Sequence, residues 1–270
     1  METRYIAALP ALLLALCACG ARFGDGAALE KQGRWLKAAE KYRAFALANP
    51  AAPEAPKALQ AAAGLYAVKL GLCAESKPLL ERLAREYPSY KMPEDVFRSI
   101  FICPDYFPAA PGSEWVYGDS QTLGKNARQV AEISTAPVSA AGAVLRSAFY
   151  AGDQLVSSQE KAYRFSGLRF LERQGGADTP VLSYPLEEGK SWSASGPEGR
   201  LSFRVEGTGL SVKVGAGEFQ DCVKISRRPE GLPSWIYEYY APWTGKVLTS
   251  VGGKGFENRV TELLSYERKK

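Results

Sequence analysis

Histidine is absent from all 270 residues. Without it the chain can build no serine–histidine dyad, no imidazole proton shuttle and no histidine-containing zinc site. A glycine-rich phosphate loop, a dinucleotide fingerprint and a metal-ligand cluster are missing as well, so no cofactor is expected. No apolar run reaches the ~20 residues that a membrane-spanning helix requires. Basic clusters interleaved with aromatics are also lacking, and the net charge of +5 is spread thinly, which argues against nucleic-acid binding. Together these absences point to a protein that is not an enzyme.

What is present is enough to fold. Apolar residues make up 46% of the chain and aromatics 11%, sufficient for real cores. The stretch Cys103–Tyr117, with three prolines and Gly112, divides two patterns. Before it, apolar residues recur at helical spacing and alanine is abundant. After it, short alternating runs are punctuated by glycine and proline. The fold class expected is α+β, a helical half followed by an antiparallel sheet.

Residues 1–20 place Arg4 before an apolar run of about a dozen residues, too short to span a bilayer. The run ends in Leu16-Cys17-Ala18-Cys19-Gly20, which resembles the lipobox of bacterial lipoproteins. That resemblance implies a signal peptide over 1–18, lipidation of Cys19, a tether over 19–26, and a bacterial cell envelope location facing the periplasm or exterior. The membrane would then be a partner through the N-terminal lipid. A plain secretory signal is the other reading of the same residues.

In residues 27–103, Gly26 matches Gly64, Gly33 matches Gly71 and Pro50 matches Pro88, each 38 positions apart. Trp35, Ala39, Tyr42 and Ala46 line one helical face, and Leu79, Leu80, Leu83 and Tyr87 its counterpart. A glycine pair, an apolar face and a closing proline resemble the tetratricopeptide repeat, whose usual length is about 34 residues. The extra residues fall in the proline-rich Ala51–Pro56. The resemblance implies a protein partner for the helices. A further helix, with Val96, Phe97, Ile100 and Phe101 as its apolar stripe, is expected to cap the array before Cys103. In such an array Cys73 and Cys103 lie at the same end of neighbouring helices, so a Cys73–Cys103 disulfide is expected, with Cys222 left as a thiol. Three unpaired cysteines are the alternative.

Residues 104–270 carry about nine or ten alternating segments with close turns and no crossover helices. The series Trp115-Val-Tyr117, Gly189-Lys-Ser-Trp192, Val214-Gly-Ala-Gly-Glu-Phe219 and Tyr239-Tyr-Ala-Pro242 resembles a β domain common in uncharacterised bacterial envelope lipoproteins. It implies a barrel-like or half-barrel antiparallel domain with no established activity. Trp192, Trp235, Tyr237, Tyr239 and Trp243 read first as core and turn-packing residues. The sharper reading has Trp192, Trp235, Tyr237 and Tyr239 lining a concave face that carries a lipid or other apolar ligand. Ser158-Gln-Glu-Lys161 matches a Ser-x-x-Lys pattern, yet it lies in a strand, where a spacing of three puts the two on opposite faces. Gly118-Asp-Ser120 lacks the histidine base that a hydrolase block of that kind needs. The reading as a whole is a non-enzymatic envelope lipoprotein that joins a helical interaction module to a β domain.

Overall fold

The computed structural model describes residues 22–134, 142–174, 176–196 and 199–269. Cys19 and the signal-like segment lie outside them. The chain divides into two compact units, up to Lys91 and from Met92 onward.

The first unit holds α1 (Phe23–Lys31), α2 (Trp35–Ala48), α3 (Ala55–Gly64) and α4 (Cys73–Glu86), with a π-helical turn over Leu65–Lys69 extending α3. Each helix packs on the next. Helices α2 and α4 are both 14 residues long and start 38 positions apart. Gly33 and Gly71, left-handed at φ +70° and +68°, make the turns into them, a conformation glycine adopts without penalty. The core is built from Ala38, Ala39, Tyr42, Phe45, Ala58, Leu59, Ala62, Leu79 and Leu83, all buried. Alanine dominates because a small Cβ lets helix axes approach. Ser76 is buried too, and its hydroxyl donates to the Ala63 carbonyl at 2.9 Å. The helix begins inside the expected tether: the Phe23 ring lies 5.2 Å from Tyr42 and 6.0 Å from Phe45, which fixes α1 from its first residue.

The second unit begins with α5 (Glu94–Phe101), the helix expected to cap the repeats. Its C-terminal end belongs instead to the β core. Phe101 and Ile102 pack into the main strand cluster, and the Arg98 guanidinium sits over the Phe165 ring at 5.7 Å. The boundary therefore falls at 91/92 and not at 103/104.

Twelve strands follow among the described residues. They are β1 (Glu114–Asp119), β2 (Ala127–Ile133), β3 (Ala143–Ala151), β4 (Gln154–Ser166), β5 (Arg169–Gln174), β6 (Ala177–Ser183), β7 (Ser191–Gly196), β8 (Gly199–Val214), β9 (Gly217–Pro229), β10 (Trp235–Ala241), β11 (Gly245–Gly253) and β12 (Phe256–Glu267). Every pairing is antiparallel between neighbours in sequence, with one addition: β1 pairs with β12, from Glu114 opposite Glu267 to Asp119 opposite Thr261. The result is a nearly closed barrel whose gap lies mid-chain, between β6 and β7, and not between its first and last strands.

Side chains cover that gap. Pro180 in β6 has no N–H to donate, as suits an edge strand. Trp192 in β7 stacks on Phe203 with centroids 5.5 Å apart and donates its indole N–H to the Pro180 carbonyl at 2.7 Å. Trp192→Phe removes that donor while keeping a ring. It is expected to cost about 1–3 kcal/mol in denaturant unfolding, since a buried acceptor is left unpaired.

Candidate functional site

Residues 102–109 run into one end of the barrel. The Phe107 ring lies 4.6 Å from Phe170, 4.9 Å from Tyr163 and 6.3 Å from Trp115, centroid to centroid. Backbone bonds fix the segment: Trp243 N–H donates to the Asp105 carbonyl at 2.7 Å, Phe107 N–H to the Asp105 carboxylate at 2.8 Å. The Tyr106 hydroxyl donates to the Asp221 carbonyl at 3.0 Å, and burial pushes that phenol up to about 12.

Above Phe107 lies a cavity of about 170 Å³. Its walls come from alternate residues around the barrel: Trp115 and Tyr117 on β1, Gln129 and Ala131 on β2, Leu145 and Ser147 on β3, Gln159, Lys161 and Tyr163 on β4. Glu172, Val181, Arg227, Glu238, Tyr240 and Lys246 complete them. The period of two shows that one whole face of the sheet points inward.

Charge inside the barrel is organised in two similar sets. Glu172 accepts from Lys161 Nζ at 3.0 Å on one oxygen and from the Tyr163 hydroxyl at 2.6 Å on the other. Glu238 accepts from Lys246 Nζ at 3.1 Å and from the Tyr240 hydroxyl at 3.0 Å. The Tyr117 hydroxyl donates to the Lys246 carbonyl at 3.0 Å. Burial pushes the Glu238 carboxyl upward, but the Lys246 ammonium, the Arg227 guanidinium and the Tyr240 hydroxyl outweigh it and hold the group below the ordinary glutamate value. Burial first, and then Glu172 and Glu238, push the Tyr163 and Tyr240 phenols well above theirs. Each carboxylate has a donor on both oxygens, and the tyrosines stay protonated at neutral pH. The set is arranged to pair the charge carried inside the barrel.

The aromatics singled out in the sequence are not brought together there. Trp192 packs against the main core cluster at the seam. Trp235, Tyr237 and Tyr239 stand on the face of β10 opposite Glu238 and Tyr240. On that face Arg228 covers Trp235 at 4.1 Å and Lys224 covers Tyr237 at 3.9 Å, while the Tyr239 hydroxyl donates to Glu257 at 2.6 Å. Ser158 and Lys161 both lie in β4, with Lys161 inward and Ser158 exposed. Asp119 closes a loop: Thr122 donates to it from its hydroxyl at 2.6 Å and its N–H at 2.8 Å, and these bonds lower the carboxyl to about 2. Neither Cys73 nor Cys103 is a free thiol. Cys222 is a free, buried thiol, and burial raises it to about 11. Sequence reasoning misses Glu172, Glu238 and Lys246, and meets Lys161 only in a Ser-x-x-Lys pattern, although these four define the interior.

Removing one partner of this half-buried pair leaves the other's charge unmatched. Lys246→Met is expected to destabilise the protein by about 1–3 kcal/mol, and Lys246→Met with Glu238→Gln to recover much of that. Because the folded value of Glu238 is depressed, its contribution is complete above the ordinary glutamate range and is lost as the pH falls through the folded value. Acid titration of stability should therefore steepen below about pH 4, and Glu238→Gln should flatten that limb.

No protein-family model and no curated protein matches the sequence. Among solved structures, the chain is similar to an inferred exported protein with a YmcC-like fold from Bacteroides fragilis, at 17% identity and a TM-score of 0.42, over 62% of this chain and all of that one. It is also similar to an inferred lipoprotein from Parabacteroides distasonis, at 15% identity and a TM-score of 0.39, over 60% of this chain and 98% of the other.

Proposed function

We propose that the chain is a non-enzymatic lipoprotein of the bacterial cell envelope, in which a tetratricopeptide-like helical module serves a protein partner and the β unit is a rigid second module. One observation carries the choice between this reading and a lipid carrier: the barrel interior is filled with paired charge. An acyl chain entering it would have to desolvate Lys161, Glu172, Glu238 and Lys246 with nothing polar in return. The cavity, at about 170 Å³, is also below the ~300–1,000 Å³ usual for small-molecule sites.

The helical unit supports the partner role. Exposed Leu36, Leu47 and Leu72 line an open groove with Ala44 and Tyr66, and Arg43 and Glu75 pair beside it at 3.0 Å. The 38-residue offset of α2 and α4 is what supports the repeat reading.

Anchoring is tested by fatty-acid labelling in cells, which should mark the wild-type chain and not the Cys19→Ala variant, with the melting curve of the folded units unchanged. A wild-type chain that takes up no label would contradict the anchor. Native mass spectrometry of the membrane-extracted protein should show no bound fatty acid or phospholipid beyond the N-terminal modification. A stoichiometric second lipid would return the carrier reading.

A further inference from the structure

The two ends of the barrel differ in a way the interior does not explain. In a sheet where every neighbour is antiparallel, the turns β1–β2, β3–β4, β9–β10 and β11–β12 all lie at one end. Each carries a large apolar side chain in water: Leu123 is 57% exposed, Leu155 56%, Val156 64%, Leu232 61% and Phe256 49%. At the opposite end, Leu168, Leu186 and Trp243 are all partly covered. The four turns are also adjacent, because the order β4-β3-β2-β1-β12-β11-β10-β9 is unbroken in the sheet. At ~4.8 Å per strand they describe an arc of roughly 34 Å.

Leu123 adds an independent observation. Its φ is +53°, a left-handed conformation that costs a branched side chain on the order of 1 kcal/mol and that asparagine tolerates far better. The loop thus holds a leucine at a strained position and points it into solvent.

We infer that this arc of turns rests on a lipid bilayer, inserting its tips among the headgroups and upper acyl chains. The choice of a bilayer rests on the envelope-lipoprotein reading, in which lipidated Cys19 already holds the chain at a membrane. It rests also on the pattern of the tips. Each turn offers one or two side chains separated from the next by backbone, and Val156 is the extra residue of a β-bulge beside Leu155. A protein partner needs a contiguous complementary patch, whereas a fluid interface admits separate tips. In these turns Lys125 and Lys254 are balanced by Asp153 and Glu230, so the attachment is apolar and needs no anionic lipid.

The test uses the chain from residue 20 onward, which keeps both folded units and carries neither the leader nor an acyl group. It is sedimented with phosphatidylcholine vesicles. The wild-type sequence should cosediment, with little change between low and high salt. Leu123→Ser, Leu155→Ser, Leu232→Ser and Phe256→Ser together should lower the partition coefficient about a hundredfold, with the thermal melt retained. Tyr266→Ser, at an exposed position opposite Trp115 toward the other end of the strands, should bind as wild type. Leu123→Asn alone should bind less and melt higher, a combination that a purely structural role for Leu123 does not produce. A wild-type chain left in the supernatant overturns the inference, as does a four-site variant that binds unchanged. A wild-type chain that dimerises through the arc, shown by light scattering, overturns it too. Because Cys19 is absent from this chain, failure here leaves the anchor untouched, and failure of the anchor leaves this result standing.

Discussion

The β unit depends on the ladder between its first and last strands. Pairing β1 with β12 joins the two ends of a meander that would otherwise stay open there, and it forces the remaining gap to the middle of the chain. Edge strands are a liability unless they are covered. Here the gap falls where Pro180 cannot donate and where an indole can bridge, so the weakest point of the sheet is also the one that side chains close. The same ladder brings the entering segment 102–109 to the end of the barrel where Trp115, Thr244 and Trp243 await it. The Trp115 indole N–H donates to the Thr244 carbonyl at 2.6 Å.

Closing a sheet leaves an interior that must be filled, and this chain fills it in two different ways. Near one end the rings of Phe107, Tyr163 and Phe170 pack as an ordinary aromatic core. Further in, the walls turn polar, and each buried glutamate is met by one lysine and one tyrosine. Such an arrangement adds little net stability over an apolar filling, because desolvation offsets most of the Coulomb gain. Its effect is on specificity of occupancy: it makes the interior a poor place for a hydrocarbon chain. Apolar surface is carried instead on the turns at one end of the barrel.

Much of the architecture is legible in the sequence. The helical and alternating halves are both there, with antiparallel strands, and the 38-residue offset recurs in the start points of α2 and α4. The alternation suggests about nine or ten strands against twelve, because short pieces such as β5 and β7 have few residues over which a period can be read. The helix α5 carries a clear amphipathic stripe, but a stripe does not say which partner it covers. On β10 the pattern points the wrong way. Trp235, Tyr237 and Tyr239 do share a face, and their bulk suggests that it points inward. The inner residues are the alternates, including Glu238 and Tyr240. A shift of one position exchanges the two faces of a strand, and when the inner face is polar, hydrophobicity cannot fix the choice. The pairing of Glu238 with Lys246 and Tyr240 does so, and a hydrophobic pattern does not register it.

Backbone hydrogen exchange, resolved by residue, tests the closure most directly. If β1 and β12 form the central ladder, amides from Trp115 to Gly118 and from Glu262 to Ser265 should be among the slowest to exchange. The outward amides of β6 and β7 should then open first, as the only unpaired edges among the described strands. Fast exchange along β1 and β12, with β6 and β7 protected together, would contradict this closure and mean that the barrel opens between its chain ends.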